Sequence, residues 1–348
     1  IQAIRLAEAA YRLYPQDIIL KYIQDIYSDS PGNFAEFSTR LPKKIVTIKP
    51  ILESNLFLVA TENGIVQLRD MEGHVVSELK TKEDNLTYVD YNNINGLFLI
   101  LNSRGLHLYK ANGEEYIKIK EKGALKARFS PDGNRLAYLD TKGEVYVLDV
   151  TGKNDIKLKH LDKQPFKYMY YGNKGDILFT LSANGLIQSW TTNGELRSEF
   201  QCNENITRIK PSSDGNYIIA ITQNKYIKLW NAKGELYGTF ENNSEVLSID
   251  FSPEESFIIA GCQDGYMRVW ETPTSKEKAI IPLIRYHYPQ SVYSARFAPN
   301  FSESKKVCIA ANNYLYIQYV NQEDILNWLS KCKLPQLDAN LKKKYELE

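Results

Sequence analysis

The chain has 348 residues, 43% of them hydrophobic and 24% charged, with a formal net charge of +1. That is enough to bury one large core or two ordinary ones, and it excludes wholesale disorder. A near-neutral balance supplies no bulk basic field, so no nucleic acid partner is expected, and no apolar run is long enough to predict a bilayer-spanning helix, so no membrane partner is expected either.

The first predicted elements are helical. In residues 1–27, Ile4, Ala7 and Tyr11, then Ile18, Tyr22 and Ile26, recur at steps of three and four, the period of an amphipathic helix. Tyr14-Pro15-Gln16-Asp17 interrupts the run, and Pro15 suits the start of a second helix. Residues 1–31 therefore read as an N-terminal helical linker. The chain opens on Ile1 rather than Met, and we read it as a piece of a longer protein.

GNFAEFSTRLPKKIVTIKP (32–50) aligns with GELYGTFENNSEVLSIDFSP (234–253). By that alignment residues 33–39 form the fourth strand of a repeat whose other three strands lie elsewhere. From there the chain repeats itself. YIKLWNAKGEL (226–236) has kin in LIQSWTTNGEL (186–196) and YMRVWETPTSK (266–276), with weaker copies from residues 65, 106, 144 and 314. The tryptophan slot holds Arg69, Tyr109, Leu148 and Trp190, then Trp230, Trp270 and Gln318. Consecutive slots lie about 40 residues apart, with a longer final step, and that spacing is the length of a four-stranded propeller blade. Roughly twenty residues ahead of four of the slots stands a second marker: ALKARFSPDG (124–133), ITRIKPSSDG (206–215), VLSIDFSPEE (246–255) and VYSARFAPN (292–300). Pro, Asp and Gly there are turn chemistry. Each unit reads as four short strands joined by turns. The last unit runs out of strands after Tyr319, so the strand at 33–39 is expected to complete it. That closure removes two open sheet edges. The expectation is an all-β fold, a closed seven-bladed β-propeller over residues 32–320, with a helical tail over 321–348.

The LW-x-x-x-G hairpins and FSPDG turns resemble the WD-repeat β-propeller family, and the resemblance covers most of the chain. It departs in its polar pairs. Gly73-His74 is the one Gly-His pair, and Trp-Asp does not occur. The polar network that those pairs build within a blade is therefore expected to be mostly lost. The helical ends (1–27 and 324–348) resemble the flanks of C-terminal propellers in bacterial STAND-type signalling proteins. That resemblance implies a cytoplasmic sensor or autoinhibitory domain of a multidomain parent, with the upstream domains of that parent among its partners. A constitutive protein-protein scaffold is the alternative.

Catalytic chemistry is not expected. His74, His107, His160 and His287 stand in no HExxH, HxH or GxSxG context, and no GxxxxGK[ST] loop occurs. Cys202, Cys262, Cys308 and Cys332 form no CxxC pair; they read as buried thiols of a reduced protein, with no metal and no cofactor. KYMYYGNKGD (167–176) interleaves Tyr and Lys as a base-stacking surface would, but blade-to-blade packing is the favoured reading of Tyr-rich strands in a propeller.

Binding residues are sought where a propeller offers a surface. Aligned on the second marker, the third position of each first strand reads Thr47, Tyr88, Lys126 and Tyr168, then Arg208, Ser248 and Ser294. This row is expected to face the central channel or its rim. Tyr88, Lys126, Tyr168 and Arg208 make it lopsided, and Tyr and Arg are favoured at interface hot spots. They predict a contact patch on blades two to five for an acidic or aromatic protein partner. Mutual satisfaction within the channel is the plainer reading. Tyr286, His287 and Tyr288 in the irregular last unit are a second candidate, expected to be exposed and able to dock a partner, with packing of residues 1–28 or 322–348 onto them the plainer reading.

Overall fold

The computed structural model describes residues 2–13, 15, 17–29, 35–51, 54–79, 83–119, 123–153, 156–158, 164–172, 177–276, 280–320, 322–331 and 339–344. His160, Cys332, residues 33 and 34, residues 173–176 of the Tyr/Lys stretch and residues 345–348 lie outside them. Seven antiparallel sheets of four strands each form a ring. Blade one is Ile45–Ile51, Leu56–Thr61, Val66–Asp70 and Val75–Glu78; the later blades repeat that order outward from the axis.

The repeated sequence produces the blade through two turns. At the outer hairpin of blade five, the Asn231 side-chain oxygen accepts the Lys233 and Glu235 N–H groups at 3.0 and 2.9 Å. Gly234 follows at φ 80°, a conformation that a residue with a Cβ adopts at a cost. Asp149 does the same at the outer hairpin of blade three, and Asp140 at the hairpin between its second and third strands. At the inner turn a serine hydroxyl accepts the N–H five residues on: Ser130 from Arg135, Ser212 from Tyr217, Ser252 from Phe257, at 2.9, 3.0 and 3.1 Å.

Burial runs from the middle strands outward. Leu97–Asn102 and Lys306–Ala311 are buried throughout, whereas the outer strand Leu196–Gln201 is almost wholly exposed. The core is a set of wedges between neighbouring blades, such as Leu99, Leu101 and Leu106 against Ala127, Phe129 and Leu136. The seventh blade is built from both ends of the ring. Val292–Phe297, Lys306–Ala311 and Tyr314–Tyr319 take Phe37–Arg40 as their outer strand, with Phe37 opposite Ile317 and Arg40 opposite Tyr314. Leu41 and Asn313 extend the seam by two 2.8 Å hydrogen bonds, one from the Leu41 N–H and one from the Asn313 side chain.

Helices Gln2–Leu13, Asp17–Asp29 and Gln322–Lys331 pack on blades six and seven. Arg5, buried, donates to the Leu329 carbonyl at 2.5 Å and to Glu8 at 2.6 Å. Ile4 and Ala7 are buried as the periodicity predicts, but Ile18 and Tyr22 are 72% and 58% exposed. Ile23 and Tyr27 go inside instead, with Ile19 and Ile26 packed beside them. The second helix has apolar residues on two adjoining faces, and docking against Tyr286 selects one of them.

The tryptophan slots are buried, and their polar groups are partly answered. Trp190 donates its indole N–H to Thr180 Oγ1 at 2.8 Å. Tyr109 donates to Glu83 at 3.0 Å, and Glu83 also accepts from Asn102 at 2.5 Å. Arg69, in the slot of blade one, donates to Gln67 and to the Gly73 carbonyl, so among the described residues several blades keep polar contacts at the slot with residues other than the usual pairs. Cys202, Cys262 and Cys308 are buried free thiols, each pushed up by burial.

Candidate functional site at the central channel

The seven first strands line a central cavity of about 630 Å³. Six of them carry a bulge at their second residue, as between Ala124 and Lys126, Phe166 and Tyr168, or Ile206 and Arg208. A bulge re-aims the side chains beside it. Tyr88, Lys126, Tyr168 and Arg208 all line this one cavity. The small members of the same row tie blades together. Thr47 Oγ1 accepts the Val89 N–H at 3.1 Å, and Ser248 Oγ accepts the Ala295 N–H at 3.0 Å.

Two residues further along each strand lies a second row that faces the channel axis. Sequence reasoning passed over it, although the strand period of two points to it. It comprises Lys49, Asp90, Arg128 and Tyr170, then Lys210, Asp250 and Arg296. Asp90 pairs with Lys49 and accepts the Tyr91 and Phe129 N–H groups at 2.8 and 3.1 Å. Asp250 pairs with Lys210 at 2.7 Å and with Arg296 at 3.7 Å. Arg128 donates to the Tyr88 hydroxyl at 2.9 Å, and Lys210 to the Tyr170 hydroxyl at 2.6 Å.

Those pairs leave cations over. Among the described residues the cavity wall carries seven basic side chains and one carboxylate, Asp250; Asp90 lies at a smaller adjoining hollow. Lys44, Lys126, Arg128 and Arg208 belong to no ion pair among the described residues. They rest on rings or carbonyls instead: Lys44 Nζ lies 4.2 Å from the Tyr293 centroid, Lys126 Nζ 3.5 Å from that of Tyr168, and Arg208 donates to the Leu247 carbonyl. Cation–π contact offsets only part of the cost of a crowded charge. Burial, then the nearby Arg208 and Arg128, bring the Lys126 ammonium down to about 7. A chain of net charge +1 has gathered its excess positive charge on the axis.

The second candidate is corrected. Tyr286 and Tyr288 are fully buried, not exposed. Tyr286 lies on the outer strand of blade six under the terminal helices, its ring 5.3 Å from Tyr27, and it donates to the Val320 carbonyl at 3.4 Å. His287, next along, is half-buried 4.7 Å from the Tyr266 ring and belongs to neither the channel nor the helix seam. The six candidates thus fall into three separate places, and only the channel four converge. No group of three or more His, Cys, Asp or Glu is placed to hold a metal among the described residues. No described helix is long and apolar enough to cross a membrane.

Residues 194–231 and 234–271 match the WD40 family model, described as WD domain, G-beta repeat. Each matched stretch starts at the outer hairpin of one blade and ends on the third strand of the next, the same offset that leaves Phe37–Arg40 to complete blade seven. The fold is similar to the Cps50 (Swd1) β-propeller domain of Myceliophteria thermophila, with TM-score 0.69 and 13% identity over 82% of this chain and 99% of that one. It is also similar to the C-terminal WD40 domain of Sif2, with TM-score 0.62 and 16% identity over 80% and 81%. No curated protein matches the chain in sequence.

Proposed function

We propose that this chain is a non-catalytic protein-recognition module that serves as the sensor or autoinhibitory propeller of a larger bacterial signalling or defence protein. WD-repeat propellers are in general interaction modules, and the two matched repeats and seven-bladed ring support that class. The observation that carries the reading is the channel mouth: Tyr88, Lys126, Tyr168 and Arg208, from four successive blades, present phenols and unpaired cations at one opening. Such a mouth favours an acidic or aromatic protein partner. The terminal helices, docked on blades six and seven, would pass a binding event to neighbouring domains by shifting their equilibrium. The test is capture of partners by the full chain from its source cells, with and without challenge. A partner that appears on challenge and is lost with Tyr88→Ala plus Arg208→Ala supports the reading. A partner indifferent to both challenge and substitution makes the chain a constitutive scaffold.

A further inference from the structure

We propose that the central channel holds a binding site for a small phosphate-bearing anion, formed by Lys126, Arg128 and Arg208. The inference deepens the reading above, since Lys126 and Arg208 belong to both, but its test needs no protein partner.

Three observations point there. The first is unspent charge. Lys49, Lys210 and Arg296 are matched by Asp90 and Asp250, whereas Lys126, Arg128 and Arg208 face the same cavity in no ion pair among the described residues. The second is unspent donors. The Lys126 ammonium meets a ring face and no hydrogen-bond acceptor among the described residues, so its N–H donors are open to whatever enters the cavity. Arg128 and Arg208 each use one arm, on the Tyr88 hydroxyl and the Leu247 carbonyl. A guanidinium has five N–H donors in a planar fork suited to an oxyanion. The third is size. At about 630 Å³ the cavity lies within the usual range of small-ligand sites.

The grouping of the unmatched cations selects the anion: Arg208 and Arg128 act on Lys126, while Lys44 lies apart against the Tyr293 ring. A carboxylate brings one charge and two oxygens. A phosphate monoester brings about −1.5 to −2 and three acceptor oxygens, closer to what three cations require. The crowding of those cations shows on Lys126 itself, lowered by burial and then by Arg208 and Arg128; an anion between them would restore its proton.

The probe is inorganic pyrophosphate, titrated into the full chain by calorimetry at pH 8 in buffers of different ionisation enthalpy. The expected result is one site per chain, weakened by added salt, with proton uptake that falls in Lys126→Met. Lys126→Met and Arg208→Gln should each weaken binding about tenfold or more. Arg208 is exposed, so Arg208→Gln keeps the test valid should Lys126→Met fail to fold. No binding at millimolar pyrophosphate, or binding that both variants retain, overturns the site. A short neutral peptide bearing phosphoserine is the second arm; its binding where pyrophosphate does not bind would overturn the free-ligand form. Partner capture that depends on Tyr88 and Arg208, with no pyrophosphate binding, removes this inference and leaves the docking reading standing. Pyrophosphate binding with capture indifferent to those residues does the reverse.

Discussion

Arg128 and Lys210 stand over one ring. The Arg128 guanidinium carbon lies 4.1 Å, and the Lys210 ammonium 4.6 Å, from the centroid of Tyr170. Lys210 also donates to the Tyr170 hydroxyl at 2.6 Å and is offset by Asp250 at 2.7 Å. Arg128 has no such ion pair. One phenol thus shares two cations and one carboxylate.

The consequence is a tyrosine that ionises early. Burial acts to raise the Tyr170 phenol, but Lys210 and Arg128 outweigh it and hold the group below the ordinary range. Tyr88, two blades away round the channel, goes the other way, pushed well up by burial despite Arg128. Absorbance titration of the tyrosinates should show a first step that Tyr170→Phe removes and Tyr88→Phe leaves in place. If the first step survives in Tyr170→Phe, the cation pair does not act on that ring.

Lys126 gives a pH dependence of stability with a definite sign. Its folded value is about 7, against about 10.4 for an unfolded lysine. Between those values the unfolded chain binds more protons, so this group makes stability rise with pH across that window. Below about 7 both states are protonated and the folded state carries the full penalty. Lys126→Met should therefore be more stable than the parent at pH 6, with the gain fading toward pH 10.5. Urea midpoints at pH 6, 8 and 10 check it. A gain that is flat across the three would mean Lys126 is not the group concerned.

Seven blades of four strands were legible because a strand–turn repeat writes itself in hairpin chemistry: Asn231 with Gly234 and Ser252 with Phe257 are local, so each leaves a mark in the sequence. The channel four were legible for the same reason, being fixed by their distance from that turn. The second channel row, with Lys49, Arg128 and Lys210, was as well aligned, but its charge balance depends on pairing across blades, which no local pattern displays. The seam over Tyr286 was unreadable for a related reason. The sequence offers Ile18 with Tyr22, and Ile23 with Tyr27, as equally apolar faces of one helix. Only the partner surface decides between them.

Gln318 occupies a tryptophan slot in the last blade and is fully buried, with neither amide atom hydrogen-bonded among the described residues. A buried polar group without a partner costs about 1–3 kcal/mol, whereas an apolar group of similar shape carries no such cost. Gln318→Met should raise the urea midpoint by the equivalent of about 1–2 kcal/mol with the m-value unchanged. A loss of stability would mean that water or a neighbouring group satisfies the amide in solution.

Tyr27 joins the terminal helices to the ring. Its side chain is fully buried and meets Tyr286 at 5.3 Å. Truncating a buried aromatic costs about 3–5 kcal/mol where the surroundings cannot collapse. Here the loss falls on one seam, between the helix Asp17–Asp29 and blade six, while blades one to five keep their own wedges. Tyr27→Ala should therefore speed amide hydrogen exchange over residues 17–29 by about a hundredfold or more, and leave Leu97–Asn102 and Ile177–Ser182 as slow as before. Acceleration of all three together would mean that helices and ring open as one cooperative unit. The helices would then have no independent motion with which to report what the channel holds.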